Sequence, residues 1–158
     1  MKYLEQFVDK AKEFIKTRGL GFYFLVGAVI LSLIQIIIYE VAFSHSDFLR
    51  YKHFSVTLLA VLAIIVSLGM TLTKRTKQLA PITMFFMELF SFMMLMKYGY
   101  MYFSELFFGG ISLEVIGQMY YGYMGSIVLY VLIFIITIAA FFMKQSKNIE
   151  REEVSNEN

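Results

Sequence analysis

The sequence predicts an all-helical integral membrane protein, in which an N-terminal amphipathic helix at the membrane interface precedes a bundle of four transmembrane helices. Of its 158 residues, 59% are hydrophobic, and the mean hydropathy of +0.68 exceeds that of ordinary soluble domains. Four apolar runs are long enough to cross a bilayer, which takes about 20 helical residues at ~1.5 Å each. The basic residues are concentrated at one end of these runs.

Residues 1–18 are predicted to form the amphipathic helix. The segment is too polar to span a membrane, because four lysines alternate with acidic residues around it. Its apolar residues follow the helical spacing of one face: Leu4, Phe7, Val8, Ala11, Phe14 and Ile15. Such a helix suits the headgroup layer, with the apolar face towards the lipid. Packing on a cytoplasmic partner is the alternative.

The transmembrane bundle is predicted to occupy residues 19–143, with helices at 20–39, 54–73, 80–103 and 122–143. Loops 40–53 and 104–121 separate them on one side, and a polar tail occupies 144–158. Small and polar residues recur at helical spacing in three runs, and such stripes face neighbouring helices because lipid offers polar groups no partner. The stripes are Ala28, Ser32, Gln35 and Tyr39; Ala60, Ala63, Ser67 and Thr71; and Ser126, Tyr130, Thr137 and Ala140. We therefore expect Ser32, Gln35 and Tyr130 in the bundle interior.

The third run contains the residue of greatest functional interest, Glu88. Pro81 suits the first turn of a helix, which places Glu88 ~10 Å into the hydrocarbon core. An ionised carboxylate at that depth costs several kcal/mol unless it is paired, hydrated or protonated. We expect Glu88 to share a helix face with Ser91 and to point inward towards Ser67 and Thr137. The site either binds a proton or cation, or is a neutral glutamic acid in one interhelical hydrogen bond.

The loop ends of the helices carry charged and aromatic side chains. Glu40 and Lys97 are predicted to form an ion pair at the outer boundary. Six tyrosines are typical of the aromatic belt at a membrane interface: Tyr98, Tyr100, Tyr102, Tyr120, Tyr121 and Tyr123. The alternative is an aromatic-lined mouth for a sugar or organic cation. His45 and His53, eight residues apart, are a weak metal-site candidate, and we expect a solvated loop instead.

The distribution of basic residues predicts the orientation. Eleven of the 14 lie in the N-terminal segment, the turn between the second and third runs, and the tail. Only Arg50, Lys52 and Lys97 lie at the other end. The positive-inside rule then places both termini in the cytoplasm of a cell-membrane protein.

The sequence contains no motif for chemistry: no Gly-rich phosphate loop, HExxH, GxSxG or metal-spaced cluster. The absence of cysteine excludes disulfides and thiolate chemistry. We expect no enzymatic activity, no cofactor, no metal and no nucleic-acid partner. The leading hypothesis is an accessory or regulatory subunit of a larger membrane complex of the transport type. The alternative is a homo-oligomeric, proton-coupled transporter or channel for a small solute or cation that uses Glu88.

Overall fold

A computed structural model describes residues 18–44, 49–73, 75–106, 108 and 121–145. These contain four long α-helices: α1 (Leu20–Ala42), α2 (Phe54–Leu72), α3 (Ala80–Leu106) and α4 (Tyr121–Phe142). Each is long and apolar enough to cross a membrane. For the described residues, the predicted all-helical fold with four helices capable of spanning a membrane is therefore confirmed. The amphipathic helix was predicted over residues 1–18, and all of these except Arg18 lie outside the described residues, as does most of the predicted tail.

Two helices extend beyond the ranges expected from the sequence. α1 continues past Tyr39 to Ala42, and α3 continues to Leu106. Before α2, residues Leu49–Tyr51 form a short 3-10 helix. His53 then caps α2, because its ring nitrogen Nδ1 accepts a hydrogen bond from the backbone N–H of Ser55 at 3.2 Å.

The helices form an antiparallel bundle in which α1 and α3 run in one direction and α2 and α4 in the other. α1 packs mainly on α4, α2 packs mainly on α3, and α3 also packs on α4. The contact between α1 and α2 is less extensive. α1 and α3 therefore lie diagonally opposite each other, and their interior side chains meet across the centre of the bundle.

We call the two ends of the bundle the basic end, which contains Arg18 and Lys144, and the aromatic end, which contains Tyr39 and Tyr123. At the basic end the start of α1 is joined to the end of α4. The Gly21 N–H donates to the Lys144 carbonyl and the Gly19 N–H to the Gln145 carbonyl, both at 3.1 Å. Arg18 also donates to the carbonyl of Thr71 in α2, at 3.1 Å.

Two apolar layers fill the interior. The layer at the basic end consists of Leu25, Ala28, Val29, Ala63, Ala80 and Met84. The layer at the aromatic end consists of Tyr39, Ala42, Phe43, Tyr51, Val56, Leu95, Tyr123 and Tyr130. On α3, the buried polar side chains of Glu88 and Ser91 lie between Met84 of the first layer and Leu95 of the second.

Candidate functional site

Glu88 of α3 lies at the centre of the bundle, with 0% of its side chain exposed. The hydroxyl of Ser32, across the diagonal on α1, donates a hydrogen bond to its Oε1 atom. The other carboxyl oxygen, Oε2, has no hydrogen-bond partner among the described residues. The site is therefore only half satisfied by the protein side chains around it, which is costly for a buried polar group.

Gln35 lies one helical turn from Ser32 on α1 and is also completely buried. Its side chain lies near the Tyr130 hydroxyl of α4. Neither its amide nitrogen nor its amide oxygen, however, is in hydrogen-bond geometry with a described group. Gln35 therefore adds a free donor and a free acceptor to the same level of the bundle.

Ser91 and Tyr130 link the cluster to the remaining helices. The Ser91 hydroxyl donates to the backbone carbonyl of Val56 in α2 at 2.7 Å. It also lies 2.6 Å from the hydroxyl of Tyr130 in α4. We call Ser32, Gln35, Glu88, Ser91 and Tyr130 the central polar cluster; all four helices contribute to it or to its hydrogen bonds.

No hydrogen bond joins Glu88 to its predicted partners on α2 and α4, Ser67 and Thr137. Ser67 donates to the carbonyl of Ile64 in its own helix at 3.1 Å, and Thr137 donates to that of Ile133 at 2.8 Å. Both hydroxyls are buried but are satisfied within their own helices. The donor to Glu88 is instead Ser32. The sequence pattern of the first run predicted that Ser32 faces the interior, but not that it lies opposite Glu88.

The ion pair of Glu40 at the aromatic end also involves a different lysine from the predicted one. Glu40 pairs with Lys52 at 2.6 Å rather than with Lys97, and it accepts a hydrogen bond from Thr57. The Lys97 ammonium lies over the ring of Tyr98, 5.4 Å from its centroid. Because α1 extends beyond Tyr39, Glu40 lies on a helix beside the start of α2, where Lys52 is nearer.

The tyrosines assigned to an interfacial belt have different environments. Tyr100 and Tyr121 are largely exposed, and the Tyr98 ring stacks on His53 at 3.8 Å. Tyr123 was predicted in the interfacial belt but is buried in the bundle, and its hydroxyl donates to the carbonyl of Leu95 at 3.3 Å. Gly99 on α3 leaves the space for its ring. The side chains of Tyr102 and Tyr120 lie outside the described part of the chain.

Of the two histidines, His45 lies outside the described residues and His53 is used as the cap of α2. No group of three or more metal-ligating His, Cys, Asp or Glu side chains occurs among the residues that the structure describes. The central polar cluster is therefore the candidate functional site.

Comparisons of the chain with models of known protein families, with curated proteins and with solved structures found no match.

Proposed function

We propose that this chain is a non-enzymatic accessory or regulatory subunit of a larger membrane complex, oriented with both termini in the cytoplasm. The observation that supports this proposal is the packing of the interior. Glu88 is completely buried, and closely packed, mainly apolar side chains lie on both sides of it, towards the basic end and towards the aromatic end. Such close packing of a single copy favours a subunit over a protein with its own solute path.

The outer faces of the helices are the surfaces that such a subunit offers to a partner. They are rich in exposed aliphatic and aromatic side chains, which suits contact with lipid or with another transmembrane helix. Gly69 on α2 is exposed within such a face, and an added Cβ there would meet no heavy atom within 4 Å. Small residues on a membrane-exposed face allow close approach of another helix, because contact in lipid depends on packing.

The test is purification of the tagged chain from its native membrane in a mild detergent, followed by mass spectrometry and native sizing. Stoichiometric recovery of a larger membrane protein is the expected result. The variant Gly69→Leu is expected to reduce that recovery if the partner packs on α2. Gly27→Leu is the matched control, because Gly27 on α1 also has no heavy atom within 4 Å of an added Cβ. Recovery of the chain alone, as a single species, would contradict the proposal.

A second candidate function is a homo-oligomer that moves a proton-coupled solute or a cation, with Glu88 as the coupling carboxylate. The unpartnered Oε2 of Glu88 and the unpartnered amide of Gln35 favour it, because ionisable groups within a membrane commonly mark ion pathways. Glu88→Gln separates the two functions: it retains a side chain that can donate and accept hydrogen bonds, but it cannot release a proton. Coupled transport would be lost in this variant, whereas assembly with a partner would persist.

A further inference from the structure

We propose that Glu88 carries a bound proton and donates it to the side-chain carbonyl of Gln35. This bond would complete one directed chain of hydrogen bonds through all four helices: Ser32, Glu88, Gln35, Tyr130, Ser91 and the Val56 carbonyl. This arrangement of the central polar cluster is compatible with a subunit and with a transporter alike.

The direction of this series of hydrogen bonds follows from counting the available donor hydrogens. A serine hydroxyl has one hydrogen to donate, and that of Ser91 is directed to the Val56 carbonyl at 2.7 Å. The 2.6 Å contact between Ser91 and Tyr130 must therefore be donated by Tyr130. The phenol has then used its own hydrogen, and its oxygen is left as an acceptor.

The other end of the series of hydrogen bonds is Ser32, whose hydroxyl hydrogen is donated to Glu88 Oε1. Three atoms then have no partner: Glu88 Oε2 and both side-chain heteroatoms of Gln35. The Gln35 amide nitrogen is a donor, and the oxygen of nearby Tyr130 is an acceptor suited to it. The Gln35 oxygen and Glu88 Oε2 are both acceptors, so one hydrogen between them is missing.

A proton on Glu88 supplies that hydrogen. A protonated carboxyl group has one O–H donor, and Oε2 is the oxygen that Ser32 does not occupy. A helical side chain leans towards the N-terminus of its helix, so Gln35, one turn beyond Ser32, leans back towards the level at which Ser32 meets Glu88. The terminal torsion of a glutamine side chain is broad and soft, and in the proposed arrangement the amide presents its oxygen to Glu88 and its nitrogen to Tyr130. Every polar side-chain group of the central polar cluster then has a partner, as buried polar groups require.

The alternative of an ionised Glu88 has no support from the neighbouring charges. Among the described residues no lysine, arginine or histidine forms an ion pair with Glu88; its bonded partner is Ser32. The titratable groups on its own level are Tyr130 on α4 and, next towards the aromatic end, Tyr39 on α1. Ser32 and Gln35 on α1 and the Val56 carbonyl on α2 carry no charge. An uncompensated carboxylate in the membrane interior costs several kcal/mol.

A bound metal cation fits the cluster less well than a proton. Hard cations such as Ca²⁺ and Mg²⁺ take about six or more oxygen ligands. The uncommitted oxygens here are Glu88 Oε2, the Gln35 oxygen and the Tyr130 oxygen, since Ser32 and Ser91 are directed elsewhere. A proton requires a single acceptor, which Gln35 provides.

Infrared spectroscopy of the full chain in dodecyl maltoside micelles, which contain no carbonyl groups of their own, tests the proposal, because a protonated carboxyl group has a carbonyl band that an ionised carboxylate lacks. We expect this band in the wild-type protein at neutral pH and its loss in Glu88→Gln. Glu40→Gln is the matched control: Glu40 is ion-paired with Lys52, so this variant should keep the band. In Gln35→Leu the band should persist but move to higher frequency, because the carboxyl O–H has lost its acceptor.

Three results would overturn the proposal. The first is a wild-type spectrum without a carboxylic acid band at neutral pH. The second is disappearance of the band when sodium chloride replaces choline chloride at constant pH, which would assign the site to a cation. The third is an unshifted band in Gln35→Leu, which would show that Gln35 does not accept the proton. The Gln35→Leu and sodium measurements remain decisive even if Glu88→Gln fails to fold.

Discussion

The Ser32 hydroxyl donates to the Glu88 carboxyl group across the diagonal of the bundle, from α1 to α3. These two helices are not neighbours in the packing and meet through interior side chains. The hydrogen bond therefore restrains the distance between α1 and α3, which contacts between neighbouring helices restrain only indirectly. It also occupies one oxygen of the only acidic side chain near the middle of a membrane-spanning helix in the described part of the chain.

Ser32→Ala is expected to lower the free energy of unfolding by about 1–2 kcal/mol, because it leaves both oxygens of a buried carboxyl group without a donor. The measurement is reversible unfolding in mixed micelles. Ser126→Ala is the matched control: Ser126 is equally buried but donates to the Gly122 carbonyl of its own helix. An equal loss in both variants would mean that the bond to Glu88 contributes nothing specific.

Gly99→Ala is expected to destabilise the bundle by ~1–3 kcal/mol through overpacking. An added Cβ would lie 2.1 Å from the Tyr123 hydroxyl oxygen and 2.4 Å from two carbon atoms of its ring. Tyr123 is buried between helices and cannot move into solvent. Gly125→Ala on α4 is the control, because its Cβ meets nothing within 4 Å; it should be neutral or slightly stabilising. Unchanged stability of Gly99→Ala would show that Tyr123 is not packed against α3.

Gly21→Ala is expected to separate the start of α1 from the end of α4. The new Cβ would lie 2.7 Å from the Met143 carbonyl oxygen and 2.9 Å from that of Ala140. Because these are backbone atoms, the helix ends must shift, which weakens the bond from Gly21 to Lys144. Hydrogen exchange at the amide of residue 21 should become faster. Gly27→Ala on the same helix has open space around it and should leave this exchange unchanged; equal rates in both variants would contradict the contact.

Tyr39→Phe is expected to loosen the aromatic end. The Tyr39 hydroxyl accepts from the N–H of His53 at 2.9 Å and donates to its carbonyl at 3.3 Å, so its removal leaves two backbone groups at the start of α2 without this partner. The expected loss is about 1–3 kcal/mol of unfolding free energy. Tyr100→Phe, at an exposed tyrosine of α3, should lose much less. Equal effects would exclude a specific role for Tyr39.

Much of the interior could be predicted from the sequence because helical spacing decides which residues share a face. The stripes containing Ser32, Gln35 and Tyr130 are buried in the structure, and Glu88 was singled out by its depth alone. The partner of Glu88 could not be predicted in this way. Ser32, Ser67 and Thr137 are all buried hydroxyls, and depth matching does not distinguish a diagonal contact from one between adjacent helices.

The sequence by itself determined the number of membrane-spanning helices, because crossing a bilayer requires a certain length of apolar residues. It also determined that an acidic residue lies within the third helix. The tertiary structure decided which side chains meet: Ser32 rather than Ser67 at Glu88, Lys52 rather than Lys97 at Glu40, and Tyr123 inside the bundle beside Gly99. These outcomes depend on the rotation of each helix about its axis and on where each helix ends, and both are set by packing against the other helices.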